Sequence, residues 1–532
     1  MTERLEKRLG KKACRGLTVG TFHHICLSLL EQKPLISRET AREIMSEILK
    51  ERKETLSPAS ALEMISSVKN GKPVPGIPAG LAEQYQERLR QMNLRDLDDV
   101  LAEALEIPAA NQKMFRHLLV DEYQDINPAQ QKLVCHWSEG TSLFVIGDPD
   151  QSIYGFRGAN AACFDELKAL RPDTKIIRLK QNYRSTPEIL NCALAAINQN
   201  PGEKRELLPT LPSGASVRLA TAPDERAEYI WIAKEIARMA GGLGMTEANE
   251  GERAQFAFSD IAVLCRTHRQ LEQIEACLNH DSIPCVVSGR GAYLEAEKNR
   301  ALLGFFAALP DPRDEVSLTL ALKGLWRCPE GLIQRACAAI PMILKESLDA
   351  FEESLSPFDG LSPFVDAVKT YLPKVRKEKP RSLLDGLAKE TGVKGKDVEQ
   401  LLNTAVFYDS MAAFLDAVRA GEEGDILRLS GGKPSGAVRL MTLHAAKGLE
   451  FPAVFLAGLE EGQLPLVRLK EETDLEEERR LFFVGITRAK RSLTLVCGGK
   501  QSPFLHCLPK EIEAVSVKGS PTVQAKQISF LF

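Results

Sequence analysis

The sequence predicts an α/β protein built on parallel sheets. Short apolar runs recur along the 532 residues and each ends in a polar cluster, as in HLLVDEYQD (117–125) and SLFVIGDPDQ (142–151). Helix-patterned stretches separate these runs. Uninterrupted apolar strands that alternate with helices are typical of parallel sheets covered on both faces. Such sheets bind ligands at the carboxyl ends of their strands, which is where the polar clusters lie.

Further runs extend the same pattern. They comprise residues 17–24, 175–185, 260–267, 437–448, 451–458 and 492–499. Two long stretches, about 31–110 and about 311–432, are helical in pattern and are predicted to be insertions within the α/β domains. At ~150 residues per domain, a chain of this length predicts three or four folding units.

The composition excludes a strongly charged partner-binding protein. The chain is 44% hydrophobic and 27% charged, with a formal net charge of −3, so any contact with nucleic acid must come from local patches. The 12 cysteines show no CxxC pair and no zinc-like spacing. Because the sequence has no leader and no apolar run of membrane-spanning length, we expect reduced thiols in a cytoplasmic protein.

Asp121 and Glu122 follow directly on the apolar residues HLLV. Nucleotide hydrolysis needs hard oxygen ligands for Mg²⁺, a group that orients or deprotonates water, and cations for the γ-phosphate. Asp121 is predicted to be the metal-side carboxylate and Glu122 the general base. An isolated acidic pair is more often part of a solvated turn. Because a predicted buried strand comes directly before Asp121 and Glu122, a metal and nucleotide site is favoured here.

The stretch VIGDPDQSIYGFRGAN (145–160) supplies further candidates. Gln151 can hydrogen-bond both a water and a phosphate oxygen, and Arg157 can reach a phosphate. Tyr154 and Phe156 offer flat faces on which bases can stack. Taken alone, the stretch would be interpreted as a Gly/Asp turn with two core aromatics.

Three further clusters lie after residue 178. In LKQNYRST (179–186), Tyr183 can stack on adenine and Arg184 can pair with phosphate. In MTLHAAKGLEF (441–451), three polar residues fall at a predicted strand-to-helix turn, which is a natural anion site. These three residues are Thr442, His444 and Lys447. Taken alone, His444 would more often be a satisfied polar residue than a functional one. The stretch 476–496 is predicted to be a helix ending near Arg488, followed by a strand.

Together these clusters resemble motifs II to VI of the UvrD/Rep-type superfamily 1A DNA helicases, in order and in spacing. The segments that carry the resemblance are DEYQD, GDPDQSIYGFRGA, QNYRS, TLHAAKGLEF and VGITRA. TVGTFHHIC (18–26) resembles an early DNA-contacting motif of the family, and GRGAYLEAEKNRALLGFF (289–306) resembles its signature between motifs IV and V. The resemblance covers most of the chain.

The resemblance implies two RecA-like, P-loop NTPase-type domains, each with a helical insertion subdomain, and ATP with Mg²⁺ between them. The first RecA-like domain would be incomplete. The implied organisation is residues 1–30 and 111–178 for the first domain, 31–110 for its insertion, 179–310 and 433–532 for the second domain with a C-terminal tail, and 311–432 for its insertion.

The resemblance also implies ATP-driven movement along single-stranded DNA in the 3′ to 5′ direction, action at junctions of single- and double-stranded DNA, and a place in repair or replication. The implied nucleotide contacts are Asp121 on Mg²⁺, Glu122 as base, Gln151 and Arg157 as γ-phosphate sensors, Arg184 and Arg488 as arginine fingers, Tyr183 on adenine, Glu450 on the ribose side, and Lys447 with Gly448. The implied DNA contacts are Thr21, Phe22, His23, Tyr154, Phe156, Thr442 and His444. The family often has Trp at the position of Phe156, so stacking there should be weaker.

One departure from the family concerns the phosphate loop. A G-x-x-x-x-G-K-[ST] loop cradles phosphates with its amides and its Lys, but NGKPV, KGKDV, GGKPS and GGKQS all fail this pattern. The chain begins MTERLEKRL, which resembles the end of the family stretch NKAAxEMxERL that follows the loop. We therefore expect the Walker A segment to lie before Met1, either lost or supplied by a separate upstream polypeptide. We expect the chain alone to bind ATP poorly.

The last six residues, QISFLF (527–532), resemble the bacterial sliding-clamp-binding peptide. The contacting residues would be Gln527, Ile528, Phe530 and Phe532. The alternatives are a last sheet strand or an apolar tail packed on the body. The basic run at 369–381 is interpreted as a solvated linker between helices rather than a duplex contact.

Three functions remain open at this point. The leading one is a helicase that is catalytic in its complete form. The second is a catalytically silent DNA- or clamp-binding protein with a helicase fold, and a split helicase completed in trans lies between them. The site residues Glu122, Gln151, Arg184 and Arg488 are all intact, which argues against the silent protein, because a retired site would be free to lose them.

Overall fold

The computed structural model consists of two compact units, Met1–Ile176 and Ile177–Phe532. The residues it describes are 2–10, 12–30, 33, 35–36, 38–71, 74–107, 115–241, 255–287, 293–294, 296–310, 314–343, 360–406, 408–420, 436–468 and 473–517. Both units contain parallel sheets with helices packed against them, which confirms the predicted α/β fold class. The division of each unit into a RecA-like part and an insertion stays a prediction.

The first unit has a two-stranded parallel sheet. Strand β1 is His117–Val120 and strand β2 is Ser142–Val145. Its helices are Thr2–Leu9, Phe22–Leu29, Arg38–Arg52, Pro58–Lys69, Leu81–Gln91, Leu97–Leu105, Pro128–Trp137 and Cys163–Leu170. Short 3₁₀ turns at Tyr123–Asp125, Pro149–Gln151 and Gly155–Arg157 follow the strands.

The two faces of this sheet differ. Leu118 and Leu143 face the helices and join the apolar clusters beneath them. Leu119 and Phe144 are paired in the register and point the other way, because side chains alternate along a strand. They are 67% and 51% exposed. One face of this parallel sheet therefore carries apolar side chains that the described residues leave uncovered.

The helices after residue 37 form a separate small core in the first unit. Met45, Ile48, Tyr85 and Leu89 are buried in it. The end of this bundle is tied to the next helix by charge, because Lys69 Nζ lies 2.6 Å from Asp96 and 2.8 Å from Asp99. Those two carboxylates also form the capping box that starts Leu97–Leu105.

The second unit has a seven-stranded, wholly parallel sheet in the order β11-β5-β10-β9-β6-β8-β7 and a separate β3-β4 pair. The strands are β3 Gln181–Asn182, β4 Leu208–Pro209, β5 Arg218–Thr221, β6 Ile261–Cys265, β7 Cys285–Val287, β8 Val438–Thr442, β9 Phe451–Leu456, β10 Ala489–Cys497 and β11 Glu513–Ser516. The helices are Pro187–Ile197, Glu225–Met239, His268–His280, Glu297–Ala308, Glu315–Trp326, Glu330–Ile343, Ser362–Tyr371, Pro380–Glu390, Lys396–Ala405, Met411–Ala420 and Leu475–Ile486.

The central strands of this sheet are buried on both faces. All five residues of β6 are buried, as are nearly all of β9 and most of β10, which explains why these stretches are continuous apolar runs in the sequence. Because the strands are parallel, their carboxyl ends all lie at one edge. In the described residues no helix is long and apolar enough to cross a membrane.

The helices between β7 and β8 share a core of their own. Phe305, Phe306, Phe364 and Phe414 are each at most 3% exposed within it. Phe305 makes edge-on ring contacts with Trp326 and Phe364. Helix Glu297–Ala308 belongs to this core, so the packed group begins before residue 311.

Two predicted strands are wrong in whole or in part. Residues 17–20 form no ladder in the described structure, and Thr21 instead caps a helix that begins at Phe22, its hydroxyl accepting from the His24 amide. Of residues 175–185, only Gln181–Asn182 is a strand. Ile177 and Leu179 are 67% and 85% exposed, since no neighbouring strand pairs with this run in the described residues.

A pair of carboxyl groups, one buried and one half-buried, joins helix Glu225–Met239 to the carboxyl ends of β9 and β10. Glu228 is fully buried and accepts a hydrogen bond from the Gly458 amide at 2.7 Å. Glu460 accepts from the Gly498 amide at 2.9 Å. Burial, with added repulsion from Glu460, raises the pKa of Glu228 to about 8. Glu228 is therefore protonated at neutral pH.

Replacing Glu228 by Gln should remove a pH-dependent loss of stability. Because the pKa of Glu228 is raised in the folded state, its contribution is full below about pH 4.5 and is lost as pH rises through about 8. In that window the free energy of unfolding should fall by ~1.4 kcal/mol per pH unit, a few kcal/mol in total. Glu228→Gln keeps the acceptor for Gly458, so we expect a flatter profile and higher stability at pH 8. Urea unfolding between pH 5 and 9 measures this.

The matched control lies on the same helix. Burial alone would raise the pKa of Glu235, but hydrogen bonds from Arg238 and Arg218 lower it, so this carboxylate is charged at neutral pH. Glu235→Gln should therefore reduce stability at pH 7. If Glu228→Gln also reduced stability at pH 8, the account of a protonated Glu228 would be wrong.

Candidate nucleotide and DNA sites

The carboxyl ends of β1 and β2 bring two of the sequence-predicted clusters together in the first unit. The ladder continues past the strands, because the Ile146 amide donates to the Val120 carbonyl at 2.8 Å and the Tyr123 amide donates to the Ile146 carbonyl at 2.9 Å. Asp121 and Glu122 therefore lie beside the loop that begins at Gly147. Both acidic residues are exposed.

Glu122 has a backbone conformation that is rare for a residue with a side chain. Its φ is 51°, in the left-handed region. Residues in this region cost free energy and are concentrated at functional sites. Its amide is held by Asp121 Oδ1 at 3.0 Å. The turn therefore presents both carboxylates at the end of the strand.

Gln124 connects the two clusters, and the sequence-based assignment of roles omitted it. Its Nε2 donates to Glu122 Oε2 at 2.6 Å and its Oε1 accepts from the Asp148 amide at 2.9 Å. Asp148 Oδ2 in turn accepts from Gln151 Nε2 at 2.7 Å. Gln124 is fully buried. A line of hydrogen bonds therefore runs from the predicted base to the predicted phosphate sensor.

Gly147 makes this approach possible. A Cβ at this position would clash with Gln124 Oε1 and would lie 2.8 Å from Phe164 Cζ. Only glycine therefore allows the Gln124 amide to reach across to the loop after β2. The GD pair in the sequence was the signal that could have revealed this contact.

The aromatic candidates follow on the same loop. The rings of Tyr154 and Phe156 make an edge-on contact at 6.0 Å, and Phe156 is 59% exposed. The backbone of Arg157 closes a 3₁₀ turn, and its side chain lies outside the described part of the structure. Phe156 is therefore more exposed to solvent than Tyr154.

The early motif lies at the start of helix Phe22–Leu29. Thr21 is exposed as the cap, whereas the ring of Phe22 is half-buried and stacks on Trp137 at 6.1 Å. Burial lowers the pKa of His23, against a smaller opposing effect of Asp98, so this imidazole is neutral at pH 7. Of the three candidates, Thr21 is the most open to solvent.

In the second unit the segment after β8 differs from the prediction. Residues 443–448 form consecutive turns and no helix, so the predicted anion site at a helix N-terminus is absent from this segment. The chain turns back at Gly448, whose φ is +80°. Thr442 is nearly buried and its hydroxyl accepts from the Ala445 amide. Lys447 is buried and His444 is half-buried.

Arg184, Glu450 and Lys490 come together at the surface of the second unit. Arg184 Nε lies 2.7 Å from Glu450 Oε2, and Lys490 Nζ lies 2.5 Å from Glu450 Oε1. The hydrogen bond from Lys490, with the charge of Arg184, lowers the pKa of Glu450. Tyr183, which directly precedes Arg184 in the sequence, is 71% exposed. Lys490 was missed by the sequence analysis.

Arg488 lies in a different environment. It is 1% exposed, and its guanidinium donates to the carbonyls of Val484 at 2.9 Å and Leu449 at 3.1 Å, and to the Thr487 hydroxyl at 3.0 Å. These bonds fasten the segment before β9 to the end of helix Leu475–Ile486. In this structure Arg488 holds two predicted motifs together and does not face solvent.

Acidic and amide side chains at the ends of parallel strands, with an arginine and an exposed tyrosine in a second sheet unit, are features of nucleotide-hydrolysing α/β proteins. The UvrD/REP helicase N-terminal domain matches residues 1–171. The UvrD-like helicase C-terminal domain matches residues 177–350 and 367–498. The chain therefore belongs to the UvrD/REP helicase family.

Individual relatives are similar over most of their length. ATP-dependent DNA helicase UvrD1 of Mycobacterium tuberculosis (strain ATCC 25618 / H37Rv) is 31% identical over 589 residues, covering 93% of this chain and 74% of the relative. UvrD1 of Mycobacterium leprae is 29% identical over 625 residues, covering 96% and 78%. ATP-dependent DNA helicase PcrA of Bacillus subtilis is 29% identical over 562 residues, covering 93% and 74%.

Proposed function

We propose that this chain is an ATP-dependent DNA helicase or single-stranded DNA translocase of the UvrD/Rep type, moving 3′ to 5′ in DNA repair or replication. Family membership and the relatives named ATP-dependent DNA helicases support the proposal. The observation that carries it is the line of hydrogen bonds from Glu122 through Gln124 and Asp148 to Gln151. It links the Glu122 carboxylate to the Gln151 amide, and groups of these two kinds can orient and deprotonate an attacking water.

Asp121 suits Mg²⁺ that arrives with a nucleotide. The described residues include no group of three or more His, Cys, Asp or Glu side chains able to hold a metal ion. Mg²⁺ usually takes one or two carboxylates and completes its shell with phosphate oxygens and water. The exposed Asp121 at the strand end supplies one such ligand, and bound Mg²⁺ would neutralise phosphate charge.

The second unit supplies the remaining nucleotide contacts in this proposal. Tyr183 has an exposed ring that can stack on adenine, Arg184 pairs with phosphate, and Glu450 lies on the ribose side. Arg488 can act as an arginine finger only after its guanidinium leaves the carbonyl groups that now hold it. Lys447 and Gly448 complete the set of nucleotide-binding residues.

The proposed DNA contacts combine hydroxyl groups and rings. The exposed Phe156 stacks on bases beside Tyr154, and the exposed Thr21 hydrogen-bonds the backbone. The other contacts are Phe22, His23, Thr442 and His444. Stacking on aromatic rings tolerates any base, which suits movement along single strands and at junctions with duplex DNA.

A separate polypeptide with a phosphate loop is proposed as a partner. The 532 residues contain no G-x-x-x-x-G-K-[ST] sequence. The described residues leave one apolar face of the β1-β2 sheet uncovered, with Leu119, Phe144 and Ile146 on it, and this supports the idea, since parallel sheets are covered on both faces. A strand–loop–helix segment would extend this sheet and cover that face. Taken by itself, the lack of this sequence in the 532 residues also favours the second candidate, a catalytically silent DNA- or clamp-binding protein.

The proposed setting is the cytoplasm. All 12 cysteines are free, as expected of reduced thiols. The tail QISFLF is proposed to bind a sliding clamp, and residues 527–532 lie outside the described residues.

Deleting Gln527 to Phe532 should abolish capture by purified sliding clamp. The peptide would bind through alternating apolar side chains in a clamp pocket, so its loss removes the contact. A pulldown with the 532-residue chain and the deletion variant measures this. Replacement of Gln527 and Phe532 by Ala, which leaves the length unchanged, should also abolish capture and controls for the effect of shortening the chain. Equal capture of all three proteins would dispose of the clamp proposal.

The hydrolytic proposal is tested by the rate of ATP hydrolysis with and without single-stranded DNA. With a polypeptide carrying the phosphate loop present, we expect a DNA-stimulated rate that Glu122→Gln lowers by about a hundredfold or more, because the general base is lost. The chain alone should be much slower, since phosphate contacts are missing. DNA-stimulated hydrolysis at full affinity by the chain alone would contradict the need for a partner. No hydrolysis in any mixture, with DNA binding retained, would favour the silent protein.

A further inference from the structure

Glu450 is shared between two cations. Its two carboxylate oxygens accept separately, Oε2 from Arg184 Nε at 2.7 Å and Oε1 from Lys490 Nζ at 2.5 Å. The three side chains are 36–41% exposed, so solvent and solutes reach them. The single negative charge of Glu450 therefore pairs with the positive charges of Arg184 and Lys490 at an accessible surface.

A bulge in β10 gives Lys490 its position. Ala489 pairs with Phe451 and Ser492 pairs with Ala453, so β10 has one more residue than β9 between these pairs. Bulges redirect side chains and are common beside active sites. Lys490 lies within this bulge, and its side chain reaches the Glu450 carboxylate just before β9.

The backbone around Arg184 is fixed to the same bulge. Asn182 Oδ1 accepts from the amides of Arg184 and Ser185, each at 2.9 Å. The Ser185 hydroxyl donates to the Ala489 carbonyl at 2.6 Å, and the Thr186 amide donates to the Lys490 carbonyl at 3.1 Å. Hydrogen bonds thus tie the backbone next to Arg184 to the backbone of Ala489 and Lys490. The side chains of Arg184 and Lys490 are the parts that can exchange partners.

We propose that Lys490 is a positioning residue that allows Arg184 to exchange Glu450 for a nucleotide phosphate. This rests on the proposed function, in which Arg184 pairs with phosphate. If Arg184 left Glu450 in the absence of Lys490, a lone carboxylate would face the polyphosphate and repel it. With Lys490 in place, Glu450 keeps a cation throughout the exchange.

The ionisation of Glu450 is consistent with this role. The hydrogen bond from Lys490 is the largest effect that lowers the pKa of Glu450, ahead of the charge of Arg184. The carboxylate therefore stays charged at neutral pH even when it is paired with Lys490 alone. Because Lys490 and Glu450 form the pair that persists, only one ion pair must break for Arg184 to move.

The kinetic test is Lys490→Gln in the DNA-stimulated hydrolysis assay. We expect kcat to fall by about tenfold with a smaller change in KM, because Arg184 is retained by Glu450 when phosphate charge develops. Lys490→Arg should restore most of kcat. Arg491→Gln removes a neighbouring exposed cation of the same charge and should leave kcat unchanged. A Lys490→Gln effect confined to KM, or equal to that of Arg491→Gln, would overturn the proposal.

A second readout needs no hydrolysis. Phenylglyoxal modifies arginine more slowly when a carboxylate holds its guanidinium, and mass spectrometry reports the rate at Arg184. Without nucleotide, Lys490→Gln should slow modification of Arg184, since the full carboxylate charge then acts on it, whereas Arg491→Gln should not. An unchanged rate overturns the proposal. A slowed rate in a protein that never hydrolyses ATP upholds the charge sharing and counts against the proposed function instead.

Discussion

The parallel hydrogen-bond ladder between His117–Val120 and Ser142–Val145 is the constraint on which the first site depends. It brings the ends of both strands to one edge and continues through Ile146, so the acidic turn and the following loop lie side by side. Gly147 then leaves room for the Gln124 amide. With one register shift every apolar side chain would change faces and the Gln124 side chain would lose the Asp148 amide.

The second unit also brings distant segments together at one edge of a parallel sheet, but its side chains there make different contacts. Its seven parallel strands bring the segments before β9 and at the start of β10 together, where arginines occupy two environments. Arg488 is buried and fastens backbone segments, whereas Arg184 is exposed and is paired with Glu450. The exposed ion pair can respond to a ligand at low cost, because surface ion pairs contribute little to stability.

Much of this arrangement could be predicted from the sequence. Buried parallel strands are visible as continuous apolar runs, and the polar residues after them are visible as candidate sites, which is why β1, β2, β6 and β9 were identified. The local apolar pattern alone could not show that residues 17–24 are not a strand, since Thr21 caps a helix there. Nor could it show that residues 443–448 form turns and not the start of a helix. Contacts between distant segments were also hidden. The bulge that aims Lys490 depends on how β10 pairs with β9, and spacing in one strand does not reveal it.

The most direct test of the account is a double-mutant cycle between Glu122 and Gln124 on the DNA-stimulated hydrolysis rate, measured with the phosphate-loop polypeptide present. We expect Gln124 to act through Glu122, because the 2.6 Å hydrogen bond from Gln124 Nε2 orients the Glu122 carboxylate. Gln124→Leu should therefore lower kcat by about tenfold in the parent chain and have no further effect in the Glu122→Gln background. Equal effects of Gln124→Leu in both backgrounds would mean that Gln124 acts independently of Glu122, and would contradict the account.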